Sequence, residues 1–237
     1  SQVIKGALEK CGIKPECIEE CILGNVLQAN LGQNSARQAS IGSGIPNTVP
    51  CTTVNKICSS GMKSIAFASQ SIMLGHADII CCGGMESMSN APYYVNGYRF
   101  GVKMMNQTMV DGMIKDGLWD VYTDQHMGSC AEQCATKHKI TRKEQDDFAI
   151  SSFKRAKQCN DNGTFDDEIV SITVPQRRGD PKIISKDEGC NKLNEEKLRK
   201  LKGAFDRQNG TVTAGNSSQL SDGAAITILC SGKYIKE

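Results

Sequence analysis

One cysteine stands where a strand gives way to a helix, and that position suits nucleophilic chemistry. Residues 51–75 read CTTVNKICSSGMKSIAFASQSIMLG. The stretch Cys51 to Ile57 carries Thr, Val and Ile in a proportion that fits a pleated strand. After an abrupt turn at Cys58, the residues Met62, Ile65, Ala66, Ser69, Ile72 and Met73 recur at spacings of three and four, which predicts a helix with one apolar or small face. Ser59 and Ser60 are available to cap its first turn, and Gly75 to stop it. Cys58 then lies at the mouth of a helix N-terminus, where unpaired N–H groups and the helix dipole favour an anion. A thiolate held there is a nucleophile for acyl groups. Gly61 and its small neighbours leave room for a ligand or another backbone. The competing reading is a buried structural cysteine, the commoner fate of that side chain. Residue pattern alone leaves both open.

Other residues with chemistry to offer carry weaker signals. The chain has twelve cysteines and three histidines. Cys17 with Cys21, and Cys130 with Cys134, have no second pair at finger-like spacing, and helical spacing explains the latter, so no metal site is expected. The adjacent Cys81 and Cys82 point to opposite faces of a strand and act as small hydrophobes. His126, in DQHMG, reads by itself as an ordinary surface histidine, and His76 and His138 as solvent-facing residues at helix ends. The stretch GTVTAGNSSQLSDG reads as a turn-rich loop. Lys192, Lys197, Arg199, Lys200 and Lys202 can face phosphates as mobile charges or simply line a solvated helix face.

The elements that must position these residues follow a recognisable rhythm. A helix is expected over 2–11, ended by Gly12, then a strand over 21–27 and a small-residue helix over 35–45. After the Cys58 segment comes an apolar strand, Asp78 to Cys82, ending at Gly83 and Gly84. This alternation predicts an α/β domain, a mostly parallel sheet with flanking helices. From Ser89 the rhythm stops, and 90–106 has no clear periodicity. Helices are expected over 129–139 and 141–162, the second opened by a Thr141/Glu144 capping box and presenting Phe148, Ala149, Ser152, Phe153 and Ala156 on one face. Glu168 to Val174 and Lys182 to Ser185 read as paired strands around RRGDP. A short basic helix and a buried strand, Ala224 to Cys230, close the chain.

Global composition excludes several function classes. The chain has 237 residues and a net charge of +2. Charges of both signs are interspersed, so nothing forms a nucleic-acid footprint. No run of 18 apolar residues is present, which argues against a membrane-spanning helix. The opening SQVIKGALEKCGIKPE has too short an apolar core for a signal peptide and no initiator Met, so a mature or truncated product is expected. Twelve cysteines in such a composition point to a reduced compartment with free thiols.

VNKICSSGMKSIAFASQSI followed by CCGGMESMSNAPY resembles the nucleophile segment of the thiolases, in particular their acetyl-CoA acetyltransferase branch. GQNSARQASIGSGIP before it, and DGLWDVYTDQHMGSCAE and GTVTAGNSSQLSDGAA after it, extend the likeness in order through nearly the whole chain. The resemblance implies Cys58 as the acyl-accepting nucleophile. It also implies coenzyme A contacts at His126, Met127, Leu118, Phe205, Ala214 and Ser218, with the bulk of Met127 favouring short acyl groups. Acetyl-CoA and coenzyme A are then substrates, and no metal is needed. Phe153 stands where the potassium-activated relatives carry Tyr, so a potassium site is not expected.

The same resemblance implies an organisation and its departures. Residues 1–88 correspond to the N-terminal α/β domain without its first, central strand, 89–216 to an inserted α+β loop domain that binds coenzyme A, and 217–237 to the returning strand. The family's C-terminal domain, with its His, Asn and second catalytic Cys, has no counterpart in this sequence. The expected reaction is the condensation of two acetyl-CoA to acetoacetyl-CoA and its reverse, with the 237-residue chain inactive by itself. A homo-oligomer, a dimer of dimers when complete, is expected, with no nucleic-acid or membrane partner and an intracellular location, the mitochondrial matrix ahead of the cytosol. Two rivals stand beside this reading: a non-catalytic acyl-CoA-binding or assembly module, and a ketoacyl synthase, which shares the fold but lacks the ESMSNAPY and HMGSCAE segments.

Overall fold

A computed structural model describes residues 1–236 and divides the chain into two compact units, one formed by Ser1–Gly117 with the stretch from Ser221 onward, the other by Leu118–Leu220. In chain order the elements are α1 (Gln2–Cys11), β1 (Glu20–Gly24), α2 (Ser35–Gly42), β2 (Cys51–Val54), α3 (Ser60–Met73), β3 (Ile79–Ser87), β4 (Tyr93–Val95) and β5 (Met109–Asp111). The second unit supplies β6 (Trp119–Asp120), β7 (Gln125–His126), α4 (Met127–His138), α5 (Arg142–Asp161), β8 (Ile172–Val174), β9 (Lys182–Ile184) and α6 (Glu195–Lys200), and β10 (Asp222–Cys230) returns to the first.

The first unit is built on a four-stranded sheet in the order β10-β3-β1-β2, with β1 parallel to both β2 and β3 and only β10 antiparallel. The expected alternation of strand and helix produces this because a parallel neighbour can be reached only by a crossover. Period-two alternation sends Cys21, Leu23, Ile79 and Cys81 to one face, where they pack with Ile4, Leu8, Ala36 and Ala39 of α1 and α2. Ile22, Ile80 and Cys82 go to the other face, against Ala68, Ile65 and Ile72 of α3. Cys81 and Cys82 do serve opposite layers as small hydrophobes.

Several expected boundaries move, each for a physical reason. β3 does not end at Gly83 but runs through both glycines and pairs with β10 along its whole length. A Cβ on Gly83 would come within 2.1 Å of the Ala225 carbonyl oxygen, so the glycine serves close approach rather than termination. β10, expected to be buried, is a sheet edge with an exposed first half. β1 and β3 pair directly, Glu20 opposite Ile80 through Gly24 opposite Gly84, so the sheet has no gap between them. The strand over 21–27 stops at Gly24, the helix over 35–45 stops at Gly42, and 90–106 contributes β4, which pairs with β5.

Compactness places the seams after Gly117 and Leu220, whereas the change of rhythm lies at 89 and the resemblance implies a return at 217. Residues between 89 and 117 stay with the first unit through Ser89, which bonds the Asp222 carboxylate at the head of β10, and through Gly117, which sits against Leu27. In the second unit α5 opens with the Thr141/Glu144 capping box, and β8 pairs with β9 as expected, Ile172 opposite Ile184. Its buried face, however, is that of Asp146 and Ile150; Phe148 is exposed. Arg142 shares its Nε–H between both Asp146 carboxylate oxygens and donates from its other nitrogens to the Leu198, Arg199 and Leu201 carbonyls at the end of α6. That polar core is invisible to a reading of apolar periodicity.

Candidate active site

β2 ends at Val54, three residues earlier than its composition suggests, and Asn55, Lys56 and Ile57 form the turn that delivers Cys58. Ile57 takes φ +50°, a left-handed conformation that a β-branched side chain strongly resists. Cys58 is exposed, so the structural-cysteine reading does not describe it. α3 begins at Ser60 with Ser59 at its cap, but the Ser59 side chain makes no capping bond. Ser60 is buried and instead uses its hydroxyl on the turn, accepting from the Lys56 N–H at 2.8 Å and donating to the Ile57 carbonyl at 2.6 Å.

The packing face of α3 is the expected one only in part: Ile65 and Ile72 pack as expected. Ser60, Ser64 and Ala68 are buried, while Met62 and Met73 are 73% and 82% exposed. Small residues face the sheet because the helix runs over glycines. A Cβ on Gly24 would lie 2.4 Å from the Ser60 carbonyl carbon, and one on Gly84 would lie 3.2 Å from the Gly61 Cα. Ser64 fastens the crossing, its hydroxyl accepting from the Gly83 N–H at 2.9 Å.

Five other thiols of this unit are hindered by burial. Cys21, Cys81 and Cys82 are fully buried. Contact with the Cys21 thiol and burial push the Cys81 thiol far up, and burial pushes Cys82 up to about 12. Burial also raises Cys51 and Cys230. All twelve cysteines are free, and Cys11, Cys58 and Cys134 are the exposed ones.

Leu118, His126, Met127, Phe205, Ala214 and Ser218 all fall in the second unit, and Cys58 in the first. His126 caps α4: its Nδ1 accepts from the Gly128 N–H at 2.9 Å, which leaves Nε2 to carry the proton of the neutral ring as a donor. Its ring stacks on Phe205, with centroids 4.8 Å apart and planes at 27°. Gly128 is required here, since a Cβ would collide with the Phe205 ring at 2.0 Å. Met127 opens α4 and is 41% exposed. Leu118 is half-buried, at the end of a short π-helical turn, Ile114–Leu118.

Ala214 and Ser218 are exposed on a loop whose backbone is bound from below. Glu132, on α4, accepts from the N–H groups of Thr211 and Val212 at 2.9 and 2.8 Å. Asn216 accepts from the Thr213 N–H at 2.7 Å and donates to the Thr211 carbonyl and to Asp146, both at 3.0 Å. Beyond Phe205, Asp206 accepts from the Asn209 and Gln208 N–H groups, which hold its carboxyl below the usual range. The structure thus joins His126 to Phe205 directly, and ties the loop of Ala214 to the helix that His126 caps. Of the basic residues, Arg199 is engaged by Asp147 and Lys200 by Glu196.

Sequence reading missed Glu132, Asp146, Asn216 and Asn55. Only Asn55 left a local trace, an Asn interrupting a run of strand formers. Among the described residues no group of three or more His, Cys, Asp or Glu is gathered for a metal, and no helix is long and apolar enough to cross a membrane.

A family profile described as thiolase, N-terminal domain, matches residues 1–233. The chain belongs to the thiolase family. It is 53% identical to acetyl-CoA acetyltransferase 2 of Arabidopsis thaliana over 98% of its length, and 50% identical to the acetyl-CoA acetyltransferase of Schizosaccharomyces pombe over 100%. A thiolase of Ascaris suum crystallised with coenzyme A superposes with a TM-score of 0.91 at 39% identity, and the acetyl-CoA acetyltransferase of Bacillus anthracis with 0.93 at 37%, each over 99% of this chain. The thiolase N-terminal chain described here spans 58% to 60% of the length of these four proteins.

Proposed function

We propose that this chain carries the nucleophile and the coenzyme A contacts of an acetyl-CoA C-acetyltransferase. The observation that carries the reading is Cys58, an exposed thiol delivered by a strained turn to the start of α3. Its sulfur attacks the thioester carbon of acetyl-CoA, the bond from that carbon to the coenzyme A sulfur breaks, and coenzyme A leaves as the thiol once protonated. The products are an acetyl-Cys58 thioester and free coenzyme A. His126, with Nε2 as a donor, Phe205, Met127, Leu118, Ala214 and Ser218 are assigned to the cofactor. Similarity to a thiolase crystallised with coenzyme A supports this assignment.

Carbon–carbon bond formation also requires a base for the α-proton of a second acetyl-CoA. His126 has its Nδ1 occupied, and His76 and His138 are exposed residues beyond the ends of α3 and at the end of α4. We assign the base to groups outside these residues, so the 237-residue chain is expected to accept acetyl without turning over. We further assign the complete protein to a homo-oligomer, because β2 leaves one edge of the sheet open to a second copy. A reduced compartment, the mitochondrial matrix ahead of the cytosol, fits twelve free thiols.

Incubating the protein with acetyl-CoA, then mapping acetyl groups by mass spectrometry, tests the reading. Label on Cys58, absent from Cys58→Ala, is expected. Coenzyme A binding without any acetyl on Cys58 would favour the non-catalytic acyl-CoA-binding module instead.

A further inference from the structure

We propose that Asn55 and Ser60 are positioning residues for Cys58, acting by locking Ile57 in its left-handed conformation; this rests on the assignment of Cys58 as nucleophile. Ile57 is the residue immediately before Cys58, so its φ of +50° sets the direction in which the chain delivers the thiol. A β-branched residue holds that conformation only where its surroundings over-determine it.

The surroundings are two side chains on either side of the turn. The Asn55 carboxamide oxygen accepts from the Ile57 N–H at 2.9 Å, a closed Asn turn two residues long. The Ser60 hydroxyl donates to the Ile57 carbonyl and accepts from the Lys56 N–H, and the Ser60 N–H donates to the same Ile57 carbonyl at 3.0 Å. Both polar ends of the Ile57 residue are therefore claimed. Ser60 is itself fixed, because its backbone rests on Gly24 of β1. The sheet thus reaches Cys58 through a chain of contacts: Gly24 to Ser60, Ser60 to Ile57, Ile57 to Cys58. The Ile57 side chain is about half exposed, so packing does not hold it and the hydrogen bonds must.

This arrangement separates two jobs within the motif NKICSS. Cys58 reacts, and the residues three before and two after it hold the backbone that aims it. It also makes a specific demand on the residue at 57. Glycine takes a left-handed φ without penalty, so a glycine there removes the need for the lock.

The test uses the 237-residue protein, limiting iodoacetamide near neutral pH, and peptide mapping of each cysteine, with the exposed Cys11 and Cys134 as internal references. Cys58 is expected to label ahead of both. Asn55→Ala and Ser60→Ala are each expected to slow Cys58 by about fivefold, the worth of one hydrogen bond, with Cys11 and Cys134 unchanged. Adding Ile57→Gly to either variant is expected to restore the rate, which a merely structural role would not do. Asn55→Asp keeps the acceptor and is expected to label like the unsubstituted chain. A fast Cys58 indifferent to Asn55→Ala and Ser60→Ala, or a loss that Ile57→Gly does not rescue, would overturn the positioning role alone. A Cys58 no faster than Cys11 and Cys134 in the unsubstituted protein would overturn the nucleophile assignment with it.

Discussion

Gly24 and Ser60 touch through their backbones: a Cβ on the glycine would sit 2.4 Å from the serine carbonyl carbon. The contact joins the end of a core strand to the first residue of the helix behind Cys58. Gly24→Ala must push α3 away from β1, so it is expected to destabilise the first unit by about 1–3 kcal/mol, the usual cost of overpacking. It should also slow Cys58 alkylation more than that of Cys134, which lies in the other unit. Urea unfolding and cysteine mapping would check both; an unchanged midpoint would show that the helix can slide without penalty.

Phe205 gives His126 a stacked partner and covers Gly128. Replacing the ring with an aliphatic side chain, Phe205→Leu, keeps bulk but removes the stack, which is worth about 0.5–1.5 kcal/mol. Coenzyme A affinity, measured by calorimetry, is expected to fall by about two- to tenfold. Equal affinities would mean that the stack does not shape the cofactor site.

Arg142 both neutralises a buried carboxylate and satisfies the last carbonyls of α6. The Asp146 side chain is 4% exposed, so Arg142→Ala leaves a buried charge with only the amide of Asn216 as partner. A loss of about 3–5 kcal/mol is expected. Arg142→Lys should recover little, since a point charge cannot reproduce the fork that serves Asp146 and three carbonyls together. Thermal melts of the two variants would decide; a lysine variant as stable as the original would argue against the geometric requirement.

Alkaline pH should loosen the first unit through its buried thiols. Burial pushes Cys82 up to about 12, above the value near 8.5 of a solvated thiol. Above about pH 8.5 the unfolded chain gives up a proton that the folded chain keeps, so stability falls as pH rises toward about 12. Below that window the group contributes no pH dependence. Cys82→Val keeps an apolar side chain and removes the titration, so its melting temperature should fall less between pH 8 and 10 than that of the unsubstituted chain. Parallel curves for the two proteins would assign the alkaline loss elsewhere.

Features decided within a few residues were legible from the chain itself. The Thr141/Glu144 capping box, the stop at Gly12, the opposite faces of Cys81 and Cys82, and the pairing around RRGDP all depend on local hydrogen bonding or on the period of one element. The alternation of strand and helix sufficed for a mostly parallel sheet, because parallel neighbours demand crossovers. The likeness around Cys58 was likewise carried by consecutive residues.

What only the tertiary structure decided was the set of contacts between distant segments. Apolar periodicity placed Ile65 and Ile72 correctly but also turned α3 toward Met62 and Met73, which are exposed, while Ser60, Ser64 and Ala68 are buried; at the helix start, backbone crossing over Gly24 and Gly84 leaves space only for small side chains. α5 buries Asp146 because Arg142 and Asn216 meet it, a partnership that spans 70 residues between Asp146 and Asn216. Likewise the left-handed Ile57 exists because Ser60, braced on another strand, holds its carbonyl. Hydropathy along a chain records how strongly each side chain avoids water. It does not record how closely two backbones will approach or which polar groups will find each other, and those two quantities set the face of α3 and the aim of Cys58.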